Sequence, residues 1–196
     1  MIEIGHPVLR RPARELSREE ILNPAIQELI GTMVKFTTGP EGGVGLAAPQ
    51  IGQSLQIIVI EDRAEYQLRY CTPEQLIERE RVPVPLHVII NPKITLDEES
   101  GTAEFFEGCL SVPGLRGIVP RSKVVKVECL NERAEPVTIQ ARGWYARILQ
   151  HETDHLKGIL FLDRAKKETL TTDKNFDLLW KSKPIGEVLE TLCSIK

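Results

Sequence analysis

The chain has 196 residues, of which 41% are hydrophobic, and a net charge of −3, which is enough apolar mass for one soluble domain with a packed core. The slight acidic excess excludes the basic footprint of a direct nucleic-acid site, and the longest apolar runs are too short to cross a bilayer. Four widely spaced cysteines without a Cys-x-x-Cys pair argue against a disulfide framework; with no apolar signal core, and with Glu3 and Glu15 near the start, they predict a cytoplasm-like compartment.

In chain order, Asn23-Pro24 opens a predicted helix, with Asn as N-cap and Pro at the first helical position. Ile26, Leu29, Ile30, Met33 and Val34 form its apolar stripe, and it ends before Gly39-Pro40. The stretch 43-GVGLAAPQIG-52 superficially fits a dinucleotide fingerprint, but no strand precedes it and Pro49 interrupts a following helix. A backbone open to close approach fits better: Gly43 and Gly45 remove side chains where a substrate chain could pair, and Gln50 carries an amide able to donate to a developing oxyanion. The bland alternative is a tight turn with a surface Gln.

Strands are predicted at 55-LQIIVIE-61 and 86-LHVIIN-91, with a hairpin formed by 123-KVVKVECLN-131 and 135-EPVTIQA-141. The polar segment from Asp62 to Pro85 reads as a surface excursion, and 78-ERER-81 within it as solvated surface. After Gly143 the period changes. Trp144, Ile148, His151 and His155 fall at i, i+4, i+7 and i+11, one face of one helix turned toward the core. Near the end, 184-PIGEVLETL-192 reads as a short amphipathic helix that packs on the same domain.

The motif 151-HETDH-155 carries the chemistry. Two histidines four residues apart on a helix stand one above the other, with Glu152 beside them, which is the H-E-x-x-H arrangement of zinc hydrolases. The third ligand decides what kind. Gly158 matches the metzincin extension, but Phe161 stands where its last histidine belongs. No histidine follows His155, so only a carboxylate such as Glu168, Glu187 or Glu190 could serve downstream. Upstream, His87 sits in an apolar strand and reads as structural. Cys109, in 107-EGCLS-111, remains, either as a ligand or as a small buried hydrophobe.

Taken together, 43-GVGLAAPQ-50, 107-EGCLS-111 and 151-HETDH-155 resemble the peptide deformylase family, whose signatures G-x-G-x-A-A-x-Q, E-G-C-x-S and H-E-x-D-H come in that order. The opening 5-GHPVLR-10 and the run 159-ILFLDR-164 extend the resemblance over roughly Ile4 to Arg164. It implies an α+β fold with mixed, mostly antiparallel sheets around a central helix carrying the H-E-x-x-H metal motif. Residues 1–165 are then the catalytic domain, and 166–196 a C-terminal extension packed upon it.

The resemblance also implies roles. Cys109, His151 and His155 bind one divalent metal, with water in the open fourth position that a catalytic site requires. The metal lowers the pKa of that water, Glu152 shuttles the proton, and the oxyanion is held by the metal, Gln50 and the backbone N–H of Leu110. Glu107 and Arg121 form an outer pair that steadies the cysteine loop. Val44, Gly45, Phe105, Trp144, Arg147 and Ile148 surround the first side chain of the substrate, and Arg116 lies near the peptide. Arg147 departs from the all-apolar lining common among bacterial members, and 143-GWYARILQHE-152 leans toward the branch that includes organelle-type enzymes.

In cells the metal implied is Fe(II), with Zn, Ni or Co as alternatives. The implied substrates are N-formylmethionyl nascent peptides, met at the ribosome exit, and the products are formate and a free amine. Two rival classes share parts of the pattern. A metalloendopeptidase would survive Cys109→Ala, and a metal-stabilised binding module would tolerate Glu152→Ala.

Overall fold

A computed structural model of the chain describes residues 1–40 and 42–194; the last two residues of the expected C-terminal extension lie outside the described residues. The first half contains α1 (Arg18–Ile21), α2 (Pro24–Thr37), β1 (Gly45–Ala47), β2 (Ile57–Asp62), α3 (Ala64–Tyr70), α4 (Pro73–Glu78) and β3 (Val84–Leu96). There follow β4 (Thr102–Cys109), β5 (Val112–Ser122), β6 (Val124–Leu130), β7 (Pro136–Arg142) and α5 (Gly143–Leu156). The chain finishes with α6 (Phe161–Arg164), β8 (Thr171–Thr172), α7 (Asp173–Leu179) and α8 (Ile185–Ser194).

The strands form a five-stranded sheet in the order β1-β2-β3-β6-β7 and a three-stranded sheet in the order β4-β5-β8, antiparallel throughout. An isolated bridge between Arg14 and Leu55 is parallel. Strand β2 explains why the large sheet is covered on both faces. Successive side chains of a strand point to opposite sides. Accordingly, Ile58 and Ile60 join Ala146, Ile148 and Leu149 of α5, whereas Ile57 and Val59 join Ile30 and Met33 of α2. An uninterrupted apolar run is what such two-sided burial needs, and truncating Ile58 to Ala would cost roughly 2–5 kcal/mol. Helix α2 begins as its sequence predicts, with Asn23 Oδ1 accepting from the Ala25 N–H.

Helix α5 packs its apolar residues on the large sheet while its polar ones face β4 and β5. It ends at Gly158, which takes a left-handed conformation (φ 73°). The N–H of Ile159 returns to the Asp154 carbonyl, closing the last turn. A Cβ at Gly158 would lie 2.7 Å from the Arg10 carbonyl carbon, so the glycine that stops the helix also seats the N-terminal segment against it. That segment is laced to the rest: Ile2 N–H donates to Gln50 O, Ile4 N–H to Ser111 O and Ala13 N–H to Leu156 O, at 2.7, 2.7 and 2.8 Å.

The excursion between Asp62 and Pro85 is not a simple polar loop. It holds α3 and α4, and Arg81, expected in solvent, is buried. Its guanidinium donates to both Asp62 oxygens at 2.8 and 2.9 Å, and Gln67 donates to the same carboxylate at 3.0 Å. A buried guanidinium needs such a paired acceptor. The partner stands nineteen positions away, which is why the local Glu-Arg-Glu-Arg pattern gave no sign of it.

Candidate metal centre

Helix α5 presents His151 and His155 one turn apart, with ring centroids separated by 5.0 Å, and the β4–β5 turn brings Cys109 to meet them. Cys109 Sγ lies 3.2 Å from His155 Nε2. His151 donates through Nδ1 to Glu107 Oε2 at 3.0 Å, which fixes its tautomer and turns its other nitrogen to the thiol. One atom from each of Cys109, His151 and His155 lies within 4.8 Å of the others. No downstream carboxylate joins that group among the described residues.

Glu152 is 4% exposed, and its Oε2 has no hydrogen-bond partner among the described residues. Burial pushes its carboxyl up to about 7, in the range where one group can both accept and return a proton near neutrality. The side chain has room because of Gly45. A Cβ on Gly45 would lie 2.7 Å from Glu152 Cδ and 2.8 Å from Cγ. The glycine expected to admit a substrate backbone thus first admits the glutamate.

Gln50 is buried and aimed inward. Its Oε1 accepts from the Ala47 N–H at 2.9 Å, which orients the amide, and its Nε2 lies 3.4 Å from Cys109 Sγ and 3.2 Å from Ser111 Oγ. Leu110 follows Cys109 at the turn, its side chain half-exposed. The glycine-rich stretch therefore ends in a 3-10 turn, Ala48–Ile51, that delivers an amide to the thiol.

Behind the three donors lies a layer of ion pairs. Arg121 grips Glu107 with two bonds of 3.0 Å and reaches Asp154 at 2.5 Å. Burial alone would raise the Glu107 carboxyl, but His151 and Arg121 hold it well below the usual carboxylate range. Arg164 adds two bonds to Asp154 at 2.6 and 2.7 Å. Sequence reasoning registered Asp154 only as part of a motif and missed Arg164. A carboxylate on the buried side of a helix was the available signal, since it demands a cation; which one depends on the fold.

The residues expected around the first side chain are near one another. Phe105 and Trp144 meet edge to face at 6.0 Å, and Trp144 and Val44 pack on the core cluster that holds Ile148. Arg147 lines the cavity beside these rings while its donors are engaged elsewhere. Its face stands over the Phe105 and Trp144 rings, but its N–H groups go to Glu107 Oε1, Val119 O and Ala103 O at 2.6, 2.8 and 2.6 Å. Arg116, on β5, pairs with Asp173 at 2.7 Å and lies over Phe176, so the C-terminal segment bears on it. His87 is remote from the donors: Tyr145 OH donates to its Nε2 at 2.8 Å, and its Nδ1 donates to Pro85 O at 2.7 Å.

A divalent cation suits this donor set. A thiol and two imidazoles converge, and Glu152, adjacent to His151 on α5, has a buried oxygen without a partner among the described residues. Burial opposes charge on His151, yet Cys109 and Glu107 outweigh it and hold a proton there well above the usual histidine range. Burial and the neighbouring His151 in turn hold His155 well below that range, so one imidazole is kept neutral, and a metal bound here would displace the proton from the ligating nitrogen of the other.

Two imidazoles and a glutamate on one helix, faced by a thiol from a separate hairpin, define the H-E-x-x-H class of metalloproteins. Comparison with known proteins narrows the class. The chain belongs to the polypeptide deformylase family, whose model matches residues 1–170. It is 45% identical over 178 residues to peptide deformylase 1A, chloroplastic, of Solanum lycopersicum, covering 91% of this chain and 63% of that protein. Peptide deformylase 3 of Streptomyces avermitilis is 42% identical, with 95% and 80% covered. The crystal structure of a class I type b peptide deformylase from Acinetobacter baumannii with Met-Ala-Ser bound superposes with a TM-score of 0.71 at 34% identity, covering 83% of this chain and 95% of that one. The chain spans 63% and 65% of the lengths of the Solanum and Arabidopsis thaliana relatives. Among the described residues no helix is long and apolar enough to cross a membrane.

Proposed function

We propose that this chain is a metal-dependent peptide deformylase that hydrolyses the N-formyl group from the formylmethionine of nascent polypeptides, releasing formate. The observation that carries this reading is the meeting of Cys109, His151 and His155 within 4.8 Å, with the Gln50 amide 3.4 Å from the thiol and Glu152 next to His151 on α5. Those three residues would hold one divalent ion, Fe(II) in cells, with Zn, Ni or Co able to substitute. Bound there, the ion would acidify a water and polarise the formyl carbonyl.

The chain's own residues do the rest. Glu152 accepts the proton of the attacking water and returns it to the leaving amine, as its burial and raised pKa equip it to do. Gln50 Nε2 and the Leu110 N–H donate to the oxyanion as charge develops on it, and Ala47 keeps the Gln50 amide from turning away. Strand β1 is a sheet edge, so Val44 and Gly45 can pair with an extended peptide backbone. Phe105, Trp144, Ile148 and Val44 wall the slot for the first side chain, with Arg147 backing it, and Arg116 lies farther along the peptide. Glu107 and Arg121 keep His151 oriented. Unpaired thiols fit a reducing compartment, either cytoplasm or an organelle interior, and the peptide would be met as it leaves the ribosome.

The test is formate release from formyl-Met-Ala-Ser by anaerobically purified, Fe(II)-loaded protein, with Glu152→Ala as control. Release that the variant loses while still binding metal is expected. No release from folded, loaded wild-type protein would sink the reading.

A further inference from the structure

Two buried N–H donors beside the first side-chain slot have no acceptor among the described residues: Arg79 Nε and Trp144 Nε1. Buried donors are almost always paired, so a pair of unmatched ones on facing groups calls for an explanation. Arg79 stands at the end of α4, with its guanidinium carbon 5.1 Å from the Trp144 ring centre and 5.7 Å from that of Phe105. Its Nη1 donates to Cys71 Sγ at 3.3 Å, which anchors the head group and leaves Nε unused. A cavity of about 160 Å³ is lined by Arg79, Phe105, Trp144 and Arg147, among others. At about 30 Å³ per water, that is room for roughly five waters, or for the end of an unbranched side chain.

The cavity's place relative to the metal centre follows from the elements. Phe105 and Glu107 share one face of β4, and Glu107 holds His151. Trp144 lies two helical turns before His151, roughly 10 Å along α5. The cavity therefore lies toward the start of α5 from the donors, with Phe105, Trp144 and Arg147 in its lining. Arg79 is held there from behind, since Gln75 Nε2 donates to Lys181 O at 2.6 Å and the Ile185 N–H to Glu78 Oε1 at 2.9 Å. The excursion and the C-terminal segment, both expected to be peripheral, thus brace one wall of the slot.

We propose that Arg79 is a specificity-determining residue at the far end of the first side-chain slot, donating its Nε–H to an acceptor on that side chain, with Trp144 Nε1 as a second donor. This rests on the deformylase reading for the identity of the slot. A thioether is a weak acceptor and a sulfoxide oxygen a strong one. The slot then ranks methionine sulfoxide first, methionine next, and the all-carbon isostere norleucine last.

The experiment is calorimetric binding of Met(O)-Ala-Ser, Met-Ala-Ser and Nle-Ala-Ser to the metal-loaded full chain, with formate release from formyl-Met-Ala-Ser measured on the same preparation. A hydrogen bond to a charged donor predicts roughly tenfold tighter binding of the sulfoxide than of the norleucine peptide. Arg79→Met should bring that ratio to near one or below, Arg79→Lys should restore part of it, and Trp144→Phe should lower it while keeping the ring. Equal or better binding of norleucine by wild-type protein overturns the proposal, and so does a ratio that Arg79→Met and Trp144→Phe both leave unchanged. If Arg79→Met fails to fold, Arg79→Lys and Trp144→Phe decide. The expected affinity order without any formate release would sink the enzymatic reading and leave the donor assignment standing.

Discussion

Gly45→Ala gives the sharpest test of how the site is packed. Gly45 is not among the residues with positive φ, so alanine is compatible with its backbone, and the whole effect must come from the new methyl meeting Glu152. The distances, 2.7 Å to Cδ and 2.8 Å to Cγ, are well inside van der Waals contact. Relieving them requires Glu152, 4% exposed, to leave its rotamer or β1 to shift. Overpacking of this kind costs about 1–3 kcal/mol. For a chain of this size each kcal/mol lowers Tm by roughly 2–4 °C.

The loss of function should be larger, because displacing the general base proposed for this site forfeits about 10²–10⁴ in rate. Stopped formate-release assays at saturating Fe(II) measure the rate, and urea melts the stability. The decisive arm is the double variant. In a Glu152→Ala background the three atoms nearest the methyl are gone, so Gly45→Ala should be neutral or slightly stabilising, by about 0.5 kcal/mol from the strand backbone. The coupling between the two sites should therefore be at least 1 kcal/mol, on the scale typical of residues in contact. Full activity in Gly45→Ala, or an undiminished stability loss in the double variant, would refute the reasoning.

Three further outcomes are expected. Glu107→Gln should weaken metal binding by about 10–100-fold, measured by chelator competition; it should also destabilise by about 3–5 kcal/mol, since Arg121 and Arg147 lose their shared countercharge. Asp62→Ala should cost a similar 3–5 kcal/mol in urea unfolding by stranding Arg81, and Asp62→Ala with Arg81→Met should recover most of it. His87, whose pKa burial lowers, takes up its proton more readily when unfolded. Its contribution is therefore whole above the ordinary histidine value of about 6.5 and lost as pH falls below it, by up to about 1.4 kcal/mol per pH unit. Comparing the slope between pH 7.5 and 5 with that of His87→Gln isolates the effect.

Much of this was legible without coordinates, and the reasons differ by element. Helix α5 declares itself because a buried helix repeats its apolar and ligating residues at one angular position, and α2 because Asn-Pro is a strong start. The strands from Ile57 to Asp62 and from Val84 to Leu96 show as β-branched runs, although β3 continues past the predicted end at Asn91. What stayed hidden is whatever depends on distant partners. Nothing local says that Arg81 will be buried by Asp62, that Arg147 will spend its donors on Glu107 and two carbonyls, or that Gly45 makes space for Glu152 rather than only for a peptide. The three motifs each identify a residue type and a spacing; their convergence is a property of two sheets folding around one helix.

The N-terminal segment bears on the order of events in biosynthesis. Ile2, Ile4 and Ala13 tie together the Gln50 turn, the cysteine turn and the end of α5, pieces that leave the ribosome far apart in time. The stitch is translated before the pieces it joins, and all three ties are in place only once the end of α5 has emerged. Until then, the thiol and the two imidazoles have no common address. The centre is thus assembled only when three separate stretches have met, and Ile2, Ile4 and Ala13 are the backbone ties that hold those stretches to one segment.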